Sequence, residues 1–357
     1  VRTVSRFDFD AREPFEATGH RVNPAFVSKN DSEVLGEPVA HRVHTDWPLI
    51  PWSRGPLSAA LITALRGAPG DFRLDGRIEV EDALSDDDFQ LALYLCHEAR
   101  YRDFAGNDWE WDSGLLAFRA QLEQVFTTHL RYQVTRRHPR RPTEIADELD
   151  QVIFASTSRS LTKYFLSRGT LDEMRELFVH RSASFSHDTQ SPEVRAHPGD
   201  VAHSEAFATT MVALGLDPSL GSYVEVLPGV TLSMINLQSM FSLQERWRAA
   251  LIGHFAVLEM TSGGRVEKWG RTLSRFGLAA APLAVEDHDA RVDDNTHYAS
   301  LARARMLSGL LAVDEGAEGD VLFGATATLV LDQMFCDHVL SAWEHHRSSL
   351  VPWELTD

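Results

Sequence analysis

Sulfur, positive charge and strand-forming patterns are all scarce in this sequence, and each shortage excludes something. Of 357 residues only Cys96 and Cys336 are cysteines. They stand far apart inside apolar helical patterns, so a secreted disulfide framework is excluded and a reduced, cytoplasmic setting is expected. No run of about 18 apolar residues occurs, and the first residues, "VRTVSRFDFDAREPF", lack the apolar centre of a signal peptide. Basic residues number 34 against 52 acidic ones, a formal net charge of −18. Such a surface repels phosphate backbones and anionic lipid, so neither nucleic acid nor membrane is an expected partner. The most basic stretch, "RYQVTRRHPRRP" (131 to 142), is short and contains proline. It reads as a solvated loop, with an anion site as the minority reading. Alternating β-branched runs and Asn-Gly hairpin signals are nearly absent.

What is there is helical periodicity. Residues 1–56 hold prolines at 14, 24, 38, 48, 51 and 56 and little period, which reads as an extended N-terminal arm packing on a domain. Residues 57–357 read as a single all-helical domain. "GPLSAALITALRG" has Pro56 and Ser58 at its start and Gly67 at its end. "SDDDFQLALYLCHEARYRDF" (85–104) opens on three aspartates, favourable at a helix N-terminus. Further helices are expected over 112–134, 143–169, 170–182 and 200–217, the last with Asp200 as N-cap and Gly215 at the stop. The stretch 231–264 is expected as one long helix or a kinked pair, ended by Gly263 and Gly264. Two more helical patterns, from Asp293 and from Gly319, finish the chain. The fold class is all-α.

Three segments put an acid or a histidine on an apolar stripe. His203 shares its stripe with Phe207, Thr210, Met211 and Leu214; Glu259 shares one with Ile252 and Phe255. In "EDHDARVDDNTHYASLARARM" (286–306), Asp294 and His297 are three apart and lie on one helical face running into Leu301 and Ala304. A carboxylate facing a core is costly unless paired or bound to a cation. Inward carboxylates and imidazoles on facing helices are how bundles hold non-haem metal pairs, and buried ion pairs give the same pattern.

Longer stretches carry a resemblance. "ALYLCHEARYRDFAGNDWEWDSGLLAFRAQLE" (92–123), "AHSEAFATTMVALGLD" (202–217) and "LIGHFAVLEMTSGGRVEKWGRTLSRFG" (251–277) resemble the iron-containing redox enzymes of actinobacterial type, within the haem-oxygenase-like di-iron oxidases. The resemblance runs from about residue 57 to the end. It implies a haem-oxygenase-like helical bundle holding two iron ions. Its ligand pattern is a glutamate, a histidine ten residues on, a glutamate deep in a later helix, and a closing His-x-x-x-Asp-x-x-His helix. On that pattern Glu193, His203, Glu259, Asp294 and His297 are the implied metal ligands. Ala290 stands where the closing helix would carry its first histidine, so His288 or Asp289 would have to substitute. Pro192 and Pro198 bracket Glu193 in a segment that is helical in the family and longer there than here.

The resemblance further implies a non-haem iron oxidoreductase that uses dioxygen on a small amino-acid-like or fatty-acid-like metabolite of secondary metabolism. The reaction would be N-oxygenation, or else desaturation or C–C cleavage. Arg248, His254 and Arg181 are the candidate substrate-binding side chains, since a guanidinium suits a carboxylate. A homodimer is the candidate assembly. Two competing readings stay open: a metal-independent relative on the same fold handling a small cofactor, and a helical binding protein with a decayed site. Glu98 reads as a packing salt bridge with Arg102, and His345 and His346 as a solvated helix end.

Overall fold

The computed structural model describes residues 54–66, 77–104, 113–137, 161, 164–165, 168–188, 198–218, 222–279, 281 and 317–351. Among them every regular element is helical, in keeping with the all-α expectation. The expected arm lies outside the described residues apart from Arg54, Gly55 and Pro56; so does almost all of the expected helix over 143–169, and the whole of the stretch 286–306. Eight α-helices are described: α1 (Pro56–Arg66), α2 (Asp87–Phe104), α3 (Ser113–Arg137), α4 (Leu171–Asp188), α5 (Pro198–Ala213), α6 (Gly229–Leu243), α7 (Arg248–Arg275) and α8 (Ala317–Glu344). Short 3-10 turns at Val224–Val226 and Glu245–Trp247 precede α6 and α7. No described helix is long and apolar enough to cross a membrane.

The three aspartates that open α2 each serve a different helix. Asp86 Oδ1 accepts the Phe89 amide at 2.7 Å and caps α2 itself. Asp87 Oδ1 accepts the Gly229 amide at 2.6 Å, at the start of α6. Asp88 accepts the Leu57 and Ser58 amides and the Ser58 hydroxyl, at the start of α1. Three orphan helix termini are thereby satisfied at one junction. Gly229 is required there, because a Cβ would fall 2.6 Å from the Ser85 carbonyl oxygen and 2.7 Å from that of Asp86. Arg54 completes the junction, donating to the carbonyls of Leu227 at 2.6 Å and Val224 at 2.7 Å.

Helix α6 is the centre, touching α2, α4, α7 and α8. Its apolar residues Leu232, Ile235, Leu237, Met240 and Phe241 are buried, and so are Thr231, Ser233, Asn236 and Ser239. A helix buried on all sides needs partners for its polar groups. Ser233 satisfies itself on the Val230 carbonyl, and Thr231 and Asn236 reach His180 and Gln90. Phe89, Phe118, Phe126, Phe178 and Phe241 are fully buried in the same core, each contributing roughly 1.5–3 kcal/mol.

Of the two expected forms of the 231–264 pattern the pair is found, because Gln244 turns extended (φ −124, ψ 119) between two helices. Three boundaries differ from expectation. Gly263 and Gly264 do not end α7, which runs on to Arg275; a mid-helix glycine costs only about 1 kcal/mol and stops nothing by itself. The stop comes at Gly277, whose φ is +80, with the Leu278 amide bonded back to the Leu273 carbonyl. Gly215, at φ +77, ends α5 in the same way, as expected. Pro198 opens α5 at its first position, where its missing N–H costs nothing, so Asp200 lies inside the first turn rather than at the cap. Finally, Arg131–Arg137 are the last turns of α3, not loop.

Helices α7 and α8 form the closest crossing. A Cβ on Gly253 would collide with the Val321 carbonyl, and one on Gly324 with the Ala250 carbonyl. The two glycines let the backbones touch, and this crossing fixes the register of everything on α7.

Candidate functional site

Two of the six candidate metal ligands stand on described helices. His203 lies in α5 one turn before Phe207. From Phe207 on, its stripe is buried: Phe207, Thr210, Met211 and Leu214 are all 5% exposed or less. Phe207 stacks on Phe178 of α4, centroids 5.1 Å apart and planes 17° apart, so α5 docks on α4 through this stripe. Glu259 lies in α7. Glu193, His288, Asp294 and His297 lie outside the described residues. Among the described residues no group of three or more His, Cys, Asp or Glu side chains converges as a metal site.

Helix α7 has two distinct inner faces. Ala250, Gly253, His254 and Val257 form the buried stripe that meets α8. Glu259 is five residues after His254, roughly 140° around the helix, in register with Ile252 and Phe255. Both are half-buried, as are Leu251 and Leu258. By register Glu259 falls in line with these half-buried residues, and its own side chain lies outside the described residues.

His254 occupies that seam. Its Nδ1 is 2.8 Å from Thr328 Oγ1, and the Thr328 hydroxyl proton is already donated to the Gly324 carbonyl at 2.7 Å. Thr328 can therefore only accept, so Nδ1 carries the hydrogen and Nε2 presents a bare lone pair. Nε2 is buried without a hydrogen-bond partner. Burial pushes the imidazole down to a pKa of about 4, so it is neutral at ordinary pH. Arg181, on α4, is half-buried with its guanidinium carbon 5.9 Å from the Phe335 ring centroid. Phe335 is seven residues along α8 from Thr328, roughly 10 Å, so Arg181 and His254 meet α8 two turns apart. Arg248, the first residue of α7, is exposed.

Two buried polar networks were not anticipated. In the first, Asn236 donates from Nδ2 to the Gln90 carbonyl and to Gln90 Oε1, which orients its amide and leaves Oδ1 to accept from His97 Nδ1 at 3.1 Å. His97 Nε2 faces Glu123 Oε1 at 3.5 Å, and Arg119 Nε lies 3.7 Å from the same oxygen. Burial raises the Glu123 carboxyl, but the His97 and Arg119 contacts outweigh it and hold the group below its ordinary range. In the second, Glu176 Oε2 accepts from Trp343 Nε1, the Ser349 amide and the Ser349 hydroxyl. Ser349 Oγ in turn accepts from His180 Nε2, so His180 Nδ1 accepts from Thr231. Burial first, then the nearby His338 and Arg181, push His180 down to a pKa of about 3. These networks tie α2 to α3 and α6, and α4 to α6 and the chain after α8. The i,i+4 pair Arg119/Glu123 was visible in the sequence as a surface-type pair; nothing there marked it as buried. Glu98 is buried at 2% exposure, and the side chain of its expected partner Arg102 lies outside the described residues. His345 and His346 are exposed at the end of α8, as expected.

Against known proteins, residues 196–333 match the family model described as iron-containing redox enzyme, which is haem-oxygenase-like. The match supports the resemblance read from the residues. It spans His203, Arg248, His254, Glu259, His288, Asp294 and His297, and begins after Arg181 and Glu193. No curated protein matches the chain.

Proposed function

We propose that this chain, whose residues 196–333 match the iron-containing redox enzyme family, is a non-haem di-iron oxidase or oxygenase acting with dioxygen on a small carboxylate- or amine-bearing metabolite. One observation carries the reading: the matched span contains His203, Glu259, Asp294 and His297, the implied ligands, on a chain whose described part is all-helical. The donor set fits iron by its chemistry. Imidazole and carboxylate together, on helices, are an iron-type set, and neither cysteine of the chain belongs to it.

His203 and Glu259 would hold the metal from α5 and α7, with Asp294, His297 and Glu193 completing the set and His288 standing in for the missing histidine at Ala290. Bound iron supplies the redox chemistry of dioxygen reduction. The rest falls to the chain. Ligation needs the imidazoles neutral and the carboxylates ionised, which sets a lower pH limit on loading. Ile252 and Phe255, in register with Glu259, offer an apolar edge that limits water at that turn. Arg248 is the candidate for orienting a substrate carboxylate. N-oxygenation and C–C cleavage or desaturation are the two reaction types this reading admits.

The test is anaerobic titration of metal-free protein with ferrous iron, followed by oxygen-consumption measurements with amino acids and fatty acids. Two irons per chain are expected, falling to one or none in His203→Ala and in Glu259→Ala. If both variants bind as much iron as the parent, the ligand assignment is wrong. If the parent binds none, the chain is a metal-independent relative or a binding protein.

A further inference from the structure

The protein is strongly acidic overall, which makes two arginines beside the start of α7 stand out, Arg131 of α3 and Arg246 of the turn before α7. Acidic residues exceed basic ones by 52 to 34, and several described arginines are paired: Arg119 with Glu123, Arg168 with Glu344, Arg175 with Asp172. Arg131 and Arg246 are exposed and have no carboxylate within ion-pair distance among the described residues. Both lie against one indole instead. The Arg131 guanidinium carbon is 5.8 Å from the Trp247 ring centroid and 5.5 Å from that of Phe323, in the notch between two rings whose own centroids are 5.6 Å apart. The Arg246 guanidinium carbon is 5.2 Å from the same indole.

Holding a guanidinium over a ring by cation–π attraction, with no carboxylate partner, leaves N–H donors that can grip a carboxylate or phosphate in a fork. It also removes rotamer freedom beforehand, so a ligand need not supply that ordering. Arg131 comes from α3 and Arg246 from the turn before α7, so the pair is assembled only by the tertiary fold. Trp247 itself is buried, 5% exposed, so the ring that the two guanidiniums lie over is fixed by the core. Trp247 is also the N-cap of the 28-residue α7 and makes no side-chain capping bond, so the first-turn amides and the positive end of the helix dipole lack a side-chain acceptor there.

We propose that Arg131 and Arg246, both held over Trp247, form a binding site for the oxyanion group of a small molecule, a carboxylate or a phosphate bridging the two guanidiniums. A polyanion is disfavoured, because the surrounding charge of −18 repels extended phosphate chains while one small anion meets mainly the local field. The site is distinct from the candidate metal centre. Trp247 precedes Glu259 by twelve residues of one helix, roughly 18 Å of axis, so the reading needs no iron and does not rest on the proposed reaction.

The experiment is fluorescence titration of the full chain with inorganic phosphate and, separately, with succinate, each against sodium chloride at matched ionic strength. Trp247→Phe identifies the indole's share of the signal among the eight tryptophans. A saturable change is expected in the parent, absent in Trp247→Phe, with affinity at least tenfold weaker in Arg131→Gln and in Arg246→Gln. Both arginines are exposed, so these two variants should keep the parent's circular dichroism and melting temperature. Should Trp247→Phe misfold, arginine Nε–Hε resonances give the same answer: those of Arg131 and Arg246 should move with the anion and not with chloride. Saturation by succinate alone assigns a carboxylate ligand and saturation by phosphate alone a phosphate one. A response reproduced by chloride, or one unchanged in both arginine variants, overturns the site.

Discussion

Glu225 shows how a single residue's protonation is set by its place. It lies in the 3-10 turn before α6, 7% exposed, with both carboxyl oxygens buried and unpartnered. Burial pushes its carboxyl up to about 8, against the opposing pull of its own backbone amide and of Arg54. The folded state therefore holds a proton that the unfolded chain releases near 4.5. Its contribution to stability is complete below that value and is lost as pH rises through 8. Glu225→Gln removes the titration at nearly constant shape. The variant should match the parent in urea unfolding at pH 5 and exceed it by something on the order of a few kcal/mol at pH 9. An equal difference at both pH values would mean that the carboxyl is solvated or paired. His254 is the converse case, a base kept neutral by burial with its tautomer dictated by Thr328. The sequence shows a histidine among apolar residues on α7; which nitrogen faces outward depends on a hydroxyl 74 positions away.

Helix identity was largely legible at the level of elements, because periodicity and local capping are properties of neighbours in the chain. The starts of α1 and α2 and the end of α5 fall where proline, aspartate and glycine put them. What misled was glycine in the middle of a helix. Gly263 and Gly264 read as a stop and are passed over, while Gly253 and Gly324 serve the crossing of α7 on α8. Those two sites give a sharp test. Gly253→Ala or Gly324→Ala places a methyl against a partner backbone carbonyl that has no soft end to move, so a loss at or above about 3 kcal/mol is expected. Gly319→Ala, in the same helix α8 with nothing within 4 Å of its new Cβ, should instead stabilise by up to about 1 kcal/mol. Thermal or urea unfolding of the three variants reads this directly. If Gly324→Ala were neutral, the close crossing would not exist.

The net charge of −18 acts on the molecule as a whole. Like charges spread over one compact body repel, and salt screens that repulsion over about 10 Å at 0.1 M. Raising sodium chloride from about 10 to 200 mM should therefore raise the melting temperature by a few degrees; a fall would mean that surface ion pairs contribute more than the repulsion costs. The sequence by itself determined the all-α class, most described helix boundaries and the residue types of the candidate metal set, because these follow from local period and composition. It also determined the family resemblance, which the match over 196–333 supports. Only the tertiary structure decided which helix each of Asp86, Asp87 and Asp88 caps, that Glu123 and Glu176 are buried in networks, and that Arg131 and Arg246 meet on one indole. Those outcomes depend on partners distant in the chain, and a side chain's charge, tautomer and cost of burial are set by what the fold brings against it.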